Sequence, residues 1–134
     1  MFENTSSIDF CDNKQYLYRK FKVPLLTIST NKDIKNEQML LAKSSDFISA
    51  LLNKPENFVM VKLEHSIPMY FNGTDELCSF IEIKSIGSLV PSKMSKPICD
   101  FFSNELEIPT ERIYIFFQDV DSNQWAWNCR TFGS

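Results

Sequence analysis

Two stretches of this sequence follow the same order, and each is punctuated by a proline at the same place. In the first, Pro24-Leu25-Leu26-Thr27-Ile28-Ser29-Thr30 reads as a strand with Leu26 and Ile28 on one face. A polar turn follows, Asn36 is suited to cap a helix, and Met39, Leu40, Phe47, Leu51 and Leu52 recur near helical spacing. Lys54-Pro55 stops that helix, because a proline nitrogen has no hydrogen for the preceding turn. Phe58-Val59-Met60-Val61-Lys62-Leu63 is then a strand. The second stretch repeats this: a strand over 79–86, a helix marked by Met94, Ile98, Phe101, Phe102 and Leu106, a stop at Ile108-Pro109, and a strand from Arg112 to Phe117.

Two strand–helix–proline–strand units amount to an internal repeat. They predict an α/β fold in which two βαβ units form one four-stranded sheet with both helices on one face. Pro97 interrupts the second helical pattern, so that helix is expected to start late, with Ser95 as its cap, or to bend. The strands are apolar on both faces: Val59, Val61 and Leu63 on one, Phe58 and Met60 on the other. A sheet covered by helices on one face only would bury the second face in an oligomer.

Composition narrows the function classes. With 134 residues, 43% hydrophobic and 23% charged, the chain fits one globular domain. A net charge of −3 without a basic run gives nucleic acid no electrostatic footprint. No apolar stretch approaches a membrane span, and Lys20 and Lys22 have no apolar segment before them of the kind a secretory signal needs. Cys11, Cys78, Cys99 and Cys129 show neither metal-ligand nor CxxC spacing, which points to free thiols in a reducing compartment. His65 is the one histidine and has no ligand cluster around it, so neither a metal nor a cofactor is expected. Residues 1–23 are polar, without sustained periodicity, and read as a weakly structured extension to a domain over 24–134.

Several segments together resemble the macrophage migration inhibitory factor family of the tautomerase superfamily. Pro24-Leu25-Leu26-Thr27-Ile28 is similar to the family's mature N-terminal strand, and Asn53-Lys54-Pro55-Glu56-Asn57-Phe58-Val59-Met60 to its G-K-P-x-x-Y-[IV] segment. Phe71-Asn72-Gly73-Thr74-Asp75-Glu76 resembles its F-x-G-[ST]-x-[ED] loop. Ser85-Ile86-Gly87, Arg112-Ile113-Tyr114-Ile115 and the run from Trp127 to Gly133 follow in the family's order. Each match is short, and their common order over Pro24–Gly133 gives the resemblance its weight.

The resemblance implies a tautomerase fold assembled as a homotrimer, with sites between adjacent subunits. It implies keto–enol tautomerase activity on small aromatic keto acids or enols, of the phenylpyruvate or dopachrome type. By position, Pro24 matches the N-terminal acid/base and Lys54 the lysine that binds the substrate carboxylate. Ile86 matches the residue whose backbone lines the site, Tyr114 the pocket tyrosine contributed across the interface, and Trp127 and Phe132 the aromatic wall. Four departures stand out. Phe116 replaces a substrate-reaching asparagine of the vertebrate cytokine, Trp125 a small aliphatic residue at the rim, and Phe58 the usual tyrosine. Ile81 stands where the cytokine has the second cysteine of a CxxC beginning at Cys78, so a thiol-oxidoreductase role is not expected.

Tautomerisation needs a base that takes a proton from carbon beside a carbonyl and returns it at another atom. A secondary amine can do both once burial and a neighbouring cation such as Lys54 lower its pKa. An amide nitrogen cannot, because its lone pair is delocalised. In the sequence as written, the Val23–Pro24 bond makes Pro24 an amide. Three readings follow: translation starting at Val23 through a GUG codon with removal of the initiator, proteolytic removal of the extension, or a genuine extended form that binds without catalysing. Two function classes therefore stand: a tautomerase using Pro24 once it is N-terminal, or a non-catalytic, cytokine-like interaction trimer. The expected compartment is the cytoplasm, with unconventional secretion implied by resemblance for a eukaryotic source.

Overall fold

The computed structural model describes residues 23–133, so most of the expected extension lies outside the described residues. Strands β1 (Pro24–Thr30), β2 (Met60–Glu64), β3 (Ser79–Ser85) and β4 (Ile113–Asp119) form a sheet in the order β2-β1-β3-β4. β1 pairs parallel with β2, β3 pairs parallel with β4, and the two units meet antiparallel through β1 and β3. Helices α1 (Glu37–Leu52) and α2 (Pro91–Leu106) connect the strands within the units. This is the expected pair of βαβ units.

Both helices cover the same face of the sheet. Leu26 pairs with Ile83 and Ile28 with Ile81, so these four side chains share one face, and all are fully buried. Leu40, Ile48 and Leu52 from α1 and Ile98, Phe102 and Leu106 from α2 join them in one core. Burying each such side chain contributes roughly 1.5–3 kcal/mol. The helices meet through Phe47 and Phe101, whose rings stack at 4.1 Å, with Phe102 edge-on to Phe101 at 4.9 Å. Met39, placed by spacing with the apolar residues of α1, is exposed instead. The buried row is Leu40, Ser44, Ile48 and Leu52, a strict i+4 series.

The repeat extends to the hydrogen bonds that end each helix. Asn53 and Glu107 close α1 and α2 in the left-handed conformation, at φ 54° and 57°. Just before, the Ser49 hydroxyl donates to the Lys54 carbonyl at 2.5 Å, and the Ser103 hydroxyl donates to the Ile108 carbonyl at 2.6 Å. Pro55 and Pro109 then open one-turn 3-10 segments, Glu56–Phe58 and Thr110–Arg112. Phe58 and Arg112 therefore lie in these turns, and the strands begin one or two residues later than their apolar pattern indicates. At the N-terminus of α1, the Asn36 side chain accepts from the Met39 N–H at 3.1 Å, the expected cap.

The expected late start of α2 is not observed. Pro91 takes the first helical position, where its fixed φ suits the helix and its missing N–H is no loss. The Val90 carbonyl accepts from Lys93 and Met94 N–H at 2.9 and 3.0 Å, which starts the helix there. Ser95 is thus no cap. Its hydroxyl donates back to the Pro91 carbonyl at 2.6 Å. Pro97 sits inside the helix, one position before the buried Ile98.

The other sheet face carries no helix among the described residues. Register aligns Met60, Leu25, Lys84 and Gln118 in one row, and Glu64, Ser29, Phe80 and Tyr114 in another. Met60, Tyr114 and Phe116 are exposed on it. Among the described residues, no helix is long and apolar enough to cross a membrane.

Candidate active site

Pro24 opens β1 and is fully buried, as is Ser85, its partner across the antiparallel pair. Ile86 follows Ser85 directly and is buried at 5% exposure. The chain turns away at Gly87, whose φ of 73° suits glycine, while the Ser85 carbonyl accepts from Gly87 and Val120 N–H at 3.0 and 2.8 Å. These bonds fix the ends of β3 and β4 beside Pro24.

On the β2 side of Pro24 lies an apolar cavity of about 380 Å³. Val23 and Leu25, the two chain neighbours of Pro24, both line it. Phe58, Val59 and Met60 form one wall, and Trp125, Trp127 and Phe132 another. The second wall comes from a small hairpin of β5 (Ala126–Trp127) and β6 (Arg130–Thr131). Its two-residue loop, Asn128-Cys129, has positive φ at both positions, 53° and 69°, the geometry of a type I′ turn. The Phe132 N–H donates to the Trp125 carbonyl at 2.9 Å and ties the wall together.

Of the residues singled out from sequence, Trp127 and Phe132 line this cavity, and Pro24 lies between two residues that do. Trp125 and Phe58, noted as departures, line it as well. Lys54 sits at the end of α1, half-buried, its backbone N–H donating to the Ser49 carbonyl at 2.9 Å, three residues before the cavity segment begins at Asn57. Ile86 belongs to the buried layer beside Pro24 and is not a wall of the cavity.

Tyr114 is elsewhere. It is 60% exposed and aligns with Ser29, at the far end of β1 from Pro24 and two strands over. That register separates it from Pro24 by roughly 16 Å along the strand and about 10 Å across the sheet. It lines a separate cavity of about 220 Å³ with Phe71 and Phe80. The Phe71 ring stands edge-on to Tyr114 at 4.7 Å. Arg112, nearly buried, holds the Phe71 loop by donating to the carbonyls of Leu77, Phe71 and Glu76 at 2.8, 3.1 and 2.9 Å. Phe116 is exposed on the same strand and approaches Phe80 at 6.4 Å between ring centroids.

Leu25, Asn57, Val59, Met60 and Ala126 line the cavity without having been singled out for it. The available signal was proximity in sequence to Pro24, Phe58 and Trp127. Among the described residues, no group of three His, Cys, Asp or Glu side chains could hold a metal ion. Of the described cysteines, Cys78 is buried, Cys129 is exposed, and all three are free thiols. Burial raises the Cys99 thiol above its ordinary pKa, with Asp100 adding to the effect.

Comparison with known proteins agrees with this architecture. The model of the macrophage migration inhibitory factor family matches residues 23–133. The macrophage migration inhibitory factor homolog of Brugia malayi is 31% identical over 115 residues, covering 83% of this chain and all of the relative. That of Trichuris trichiura is 32% identical over 114 residues, covering 82% of this chain and all of the relative. Among solved structures, a homologue from Prochlorococcus marinus superposes with a TM-score of 0.77 at 37% identity, covering 81% of this chain and 99% of that one. The Trichinella spiralis factor does so with a TM-score of 0.73 at 28% identity, covering 80% and 98%. On its family match, its relatives and its fold, the chain belongs to the macrophage migration inhibitory factor family.

Proposed function

We propose that this protein is a keto–enol tautomerase of the phenylpyruvate or dopachrome type, acting through Pro24 once that residue is N-terminal. The observation that carries the reading is the placement of Pro24: the residues on either side of it both face an apolar cavity walled by Trp127 and Phe132. A base at that position works in a low-dielectric pocket, where its charged form is disfavoured and its pKa falls toward neutrality.

In this reading the neutral Pro24 amine takes the proton from the carbon beside the substrate carbonyl. The C–H electron pair becomes the enol double bond, the carbonyl pair moves to oxygen, and Pro24 becomes a prolinium. The prolinium then returns a proton to oxygen to give the enol, and the reverse sequence ketonises it. Lys54 holds the substrate carboxylate and, as a nearby cation, depresses the Pro24 pKa further. Ile86 contributes its backbone from the buried layer beside Pro24, not as a wall of the cavity. Tyr114 reaches a site in the adjacent subunit of a homotrimer, which agrees with its exposure and its distance from Pro24 in its own subunit. No cofactor takes part. The free thiols agree with a reducing compartment such as the cytoplasm.

The second reading is a non-catalytic interaction trimer. It is favoured by the Val23–Pro24 amide of the full chain, which has no basic nitrogen to offer. Protein beginning at Pro24 decides between the two. The tautomerase reading expects turnover of phenylpyruvate that Pro24→Gly removes, whereas turnover unchanged by that substitution rules the proline mechanism out.

A further inference from the structure

Two fully buried hydroxyls, those of Ser44 in α1 and of Ser85, have no hydrogen-bond partner among the described residues, and Ser85 is the one beside Pro24. Folded proteins rarely keep such a group without a reason, because it has lost water and gained nothing in exchange. Ser85 is the last residue of β3 and stands directly across from Pro24. Its carbonyl accepts from Val120, just beyond β4, so its main chain is turned toward β4 and away from β1. The Pro24–Ser85 pair is therefore of the close, non-hydrogen-bonded kind, with Cα atoms about 4.5 Å apart and side chains on one face.

The residue facing this hydroxyl is the one whose hydrogen-bonding capacity changes at the N-terminus. In the Val23–Pro24 amide the proline nitrogen has no hydrogen and no basic lone pair. As an N-terminal residue, Pro24 is a secondary amine with one N–H when neutral and two when protonated. Removal of residues 1–23 would create a donor on the residue paired across from Ser85.

We propose that Ser85 is a positioning residue: its hydroxyl accepts a hydrogen bond from the amine of N-terminal Pro24 and so turns the nitrogen's remaining valence toward the substrate. This rests on the reading of Pro24 as the acid/base. The N–H held by Ser85 stays in place through the cycle, and the other position on nitrogen carries the transferred proton. Because the bond is stronger to the charged amine, Ser85 also holds the Pro24 pKa above the value that burial and Lys54 would set alone.

The test compares full-length protein and protein beginning at Pro24, each with Ser85 and with Ser85→Ala, plus Ser85→Thr in the shorter form. Thermal midpoints are measured at equal subunit concentration, the pH dependence of phenylpyruvate kcat/KM is recorded, and the Pro24 amine is titrated by ¹⁵N NMR. Ser85→Ala is expected to lower the midpoint of the Pro24 form and to leave that of the full-length protein unchanged or higher. In the Pro24 form it moves the amine pKa, and the ascending limb of the profile, down by about one pH unit. Ser85→Thr keeps the hydroxyl and restores the limb. Equal midpoint changes in both lengths, with an unmoved amine pKa, overturn the proposal. An inactive Pro24 form with intact Ser85 would overturn the tautomerase reading, while the midpoints and the NMR titration would still decide the Ser85 bond.

Discussion

Val23 and Trp127 line the same cavity, so the residue that blocks the Pro24 nitrogen also forms part of the wall around it. Val23 takes up part of the cavity lining, and its amide leaves the Pro24 nitrogen without a basic lone pair. Both effects end at one bond.

Lys54 is expected to act on substrate binding and on the proline together. In protein beginning at Pro24, Lys54→Met should lower kcat/KM for phenylpyruvate by about 10- to 100-fold through loss of a charge-assisted carboxylate contact. Removing a nearby cation stabilises the prolinium, so the Pro24 pKa rises and the ascending limb moves to higher pH, opposite in sign to Ser85→Ala. Steady-state kinetics between pH 5 and 9 check both. A limb that stays in place removes Lys54 from the electrostatics of the site.

Arg112 is expected to be among the costlier single losses in the fold. Arg112→Ala removes a donor from three carbonyls of the Phe71–Leu77 loop, two of which keep another, Phe71 from the Thr74 N–H and Glu76 from the Asn31 side chain, and it removes the guanidinium that lies 5.2 Å from the centroid of the Phe71 ring. A destabilisation of about 3 kcal/mol is expected in urea unfolding at fixed subunit concentration. Arg112→Lys should recover only part of it, because one ammonium cannot reproduce the planar fork.

The β5–β6 turn is open to improvement. Cys129 adopts φ 69°, where a β-carbon is strained and glycine is not. Cys129→Gly gives the Asn-Gly pair that type I′ turns favour and is expected to stabilise the protein by about 0.5–1 kcal/mol. Denaturation midpoints of the two proteins measure this. A lower midpoint for the variant would mean that the Cys129 side chain makes a contact worth more than the strain.

Pro97 leaves the Lys93 carbonyl of α2 without its helical donor. Pro97→Ala restores that N–H in a helix that already begins at Pro91. The gain is offset in part by the greater freedom of the unfolded chain, and a net stabilisation of about 1–2 kcal/mol is expected from thermal unfolding.

The fold was legible because the sequence states it twice. Pro55 and Pro109 mark the same joint in two units, and the residues around them make the same bonds, Ser49 to Lys54 and Ser103 to Ile108. Apolar spacing placed the four strands and both helices. It misplaced Met39, which lies about 100° around α1 from Leu40, where the buried row of Leu40, Ser44, Ile48 and Leu52 begins, and is exposed. Of the two outcomes expected for Pro97, the late start is excluded by the helix beginning at Pro91, and the half-buried Pro97 lies within the helix. The β5–β6 hairpin escaped notice because Asn128-Cys129 lacks the glycine that announces such a turn.

Of the residues that the resemblance singled out, Trp127 and Phe132 line the candidate cavity. Trp127 and Phe132 reach the cavity from one short hairpin, and Phe58 from the segment beside Pro55. Resemblance alone places Tyr114 beside Pro24 across a subunit interface; register within one chain holds the two apart, so that role would need a second copy. The orphaned Ser85 hydroxyl had no sequence signal at all, because a serine in a strand is ordinary until its partners are counted.

Phenylpyruvate tautomerase activity in two purified proteins, the full chain from Met1 and the chain beginning at Pro24, decides whether Pro24 is the base. Turnover is expected in the Pro24 form and about 100-fold less or lower in the full chain, consistent with the typical contribution of a positioned acid/base. Equal turnover in the two proteins would contradict that role, since the Val23–Pro24 amide would then be no obstacle and the catalytic base would have to lie elsewhere.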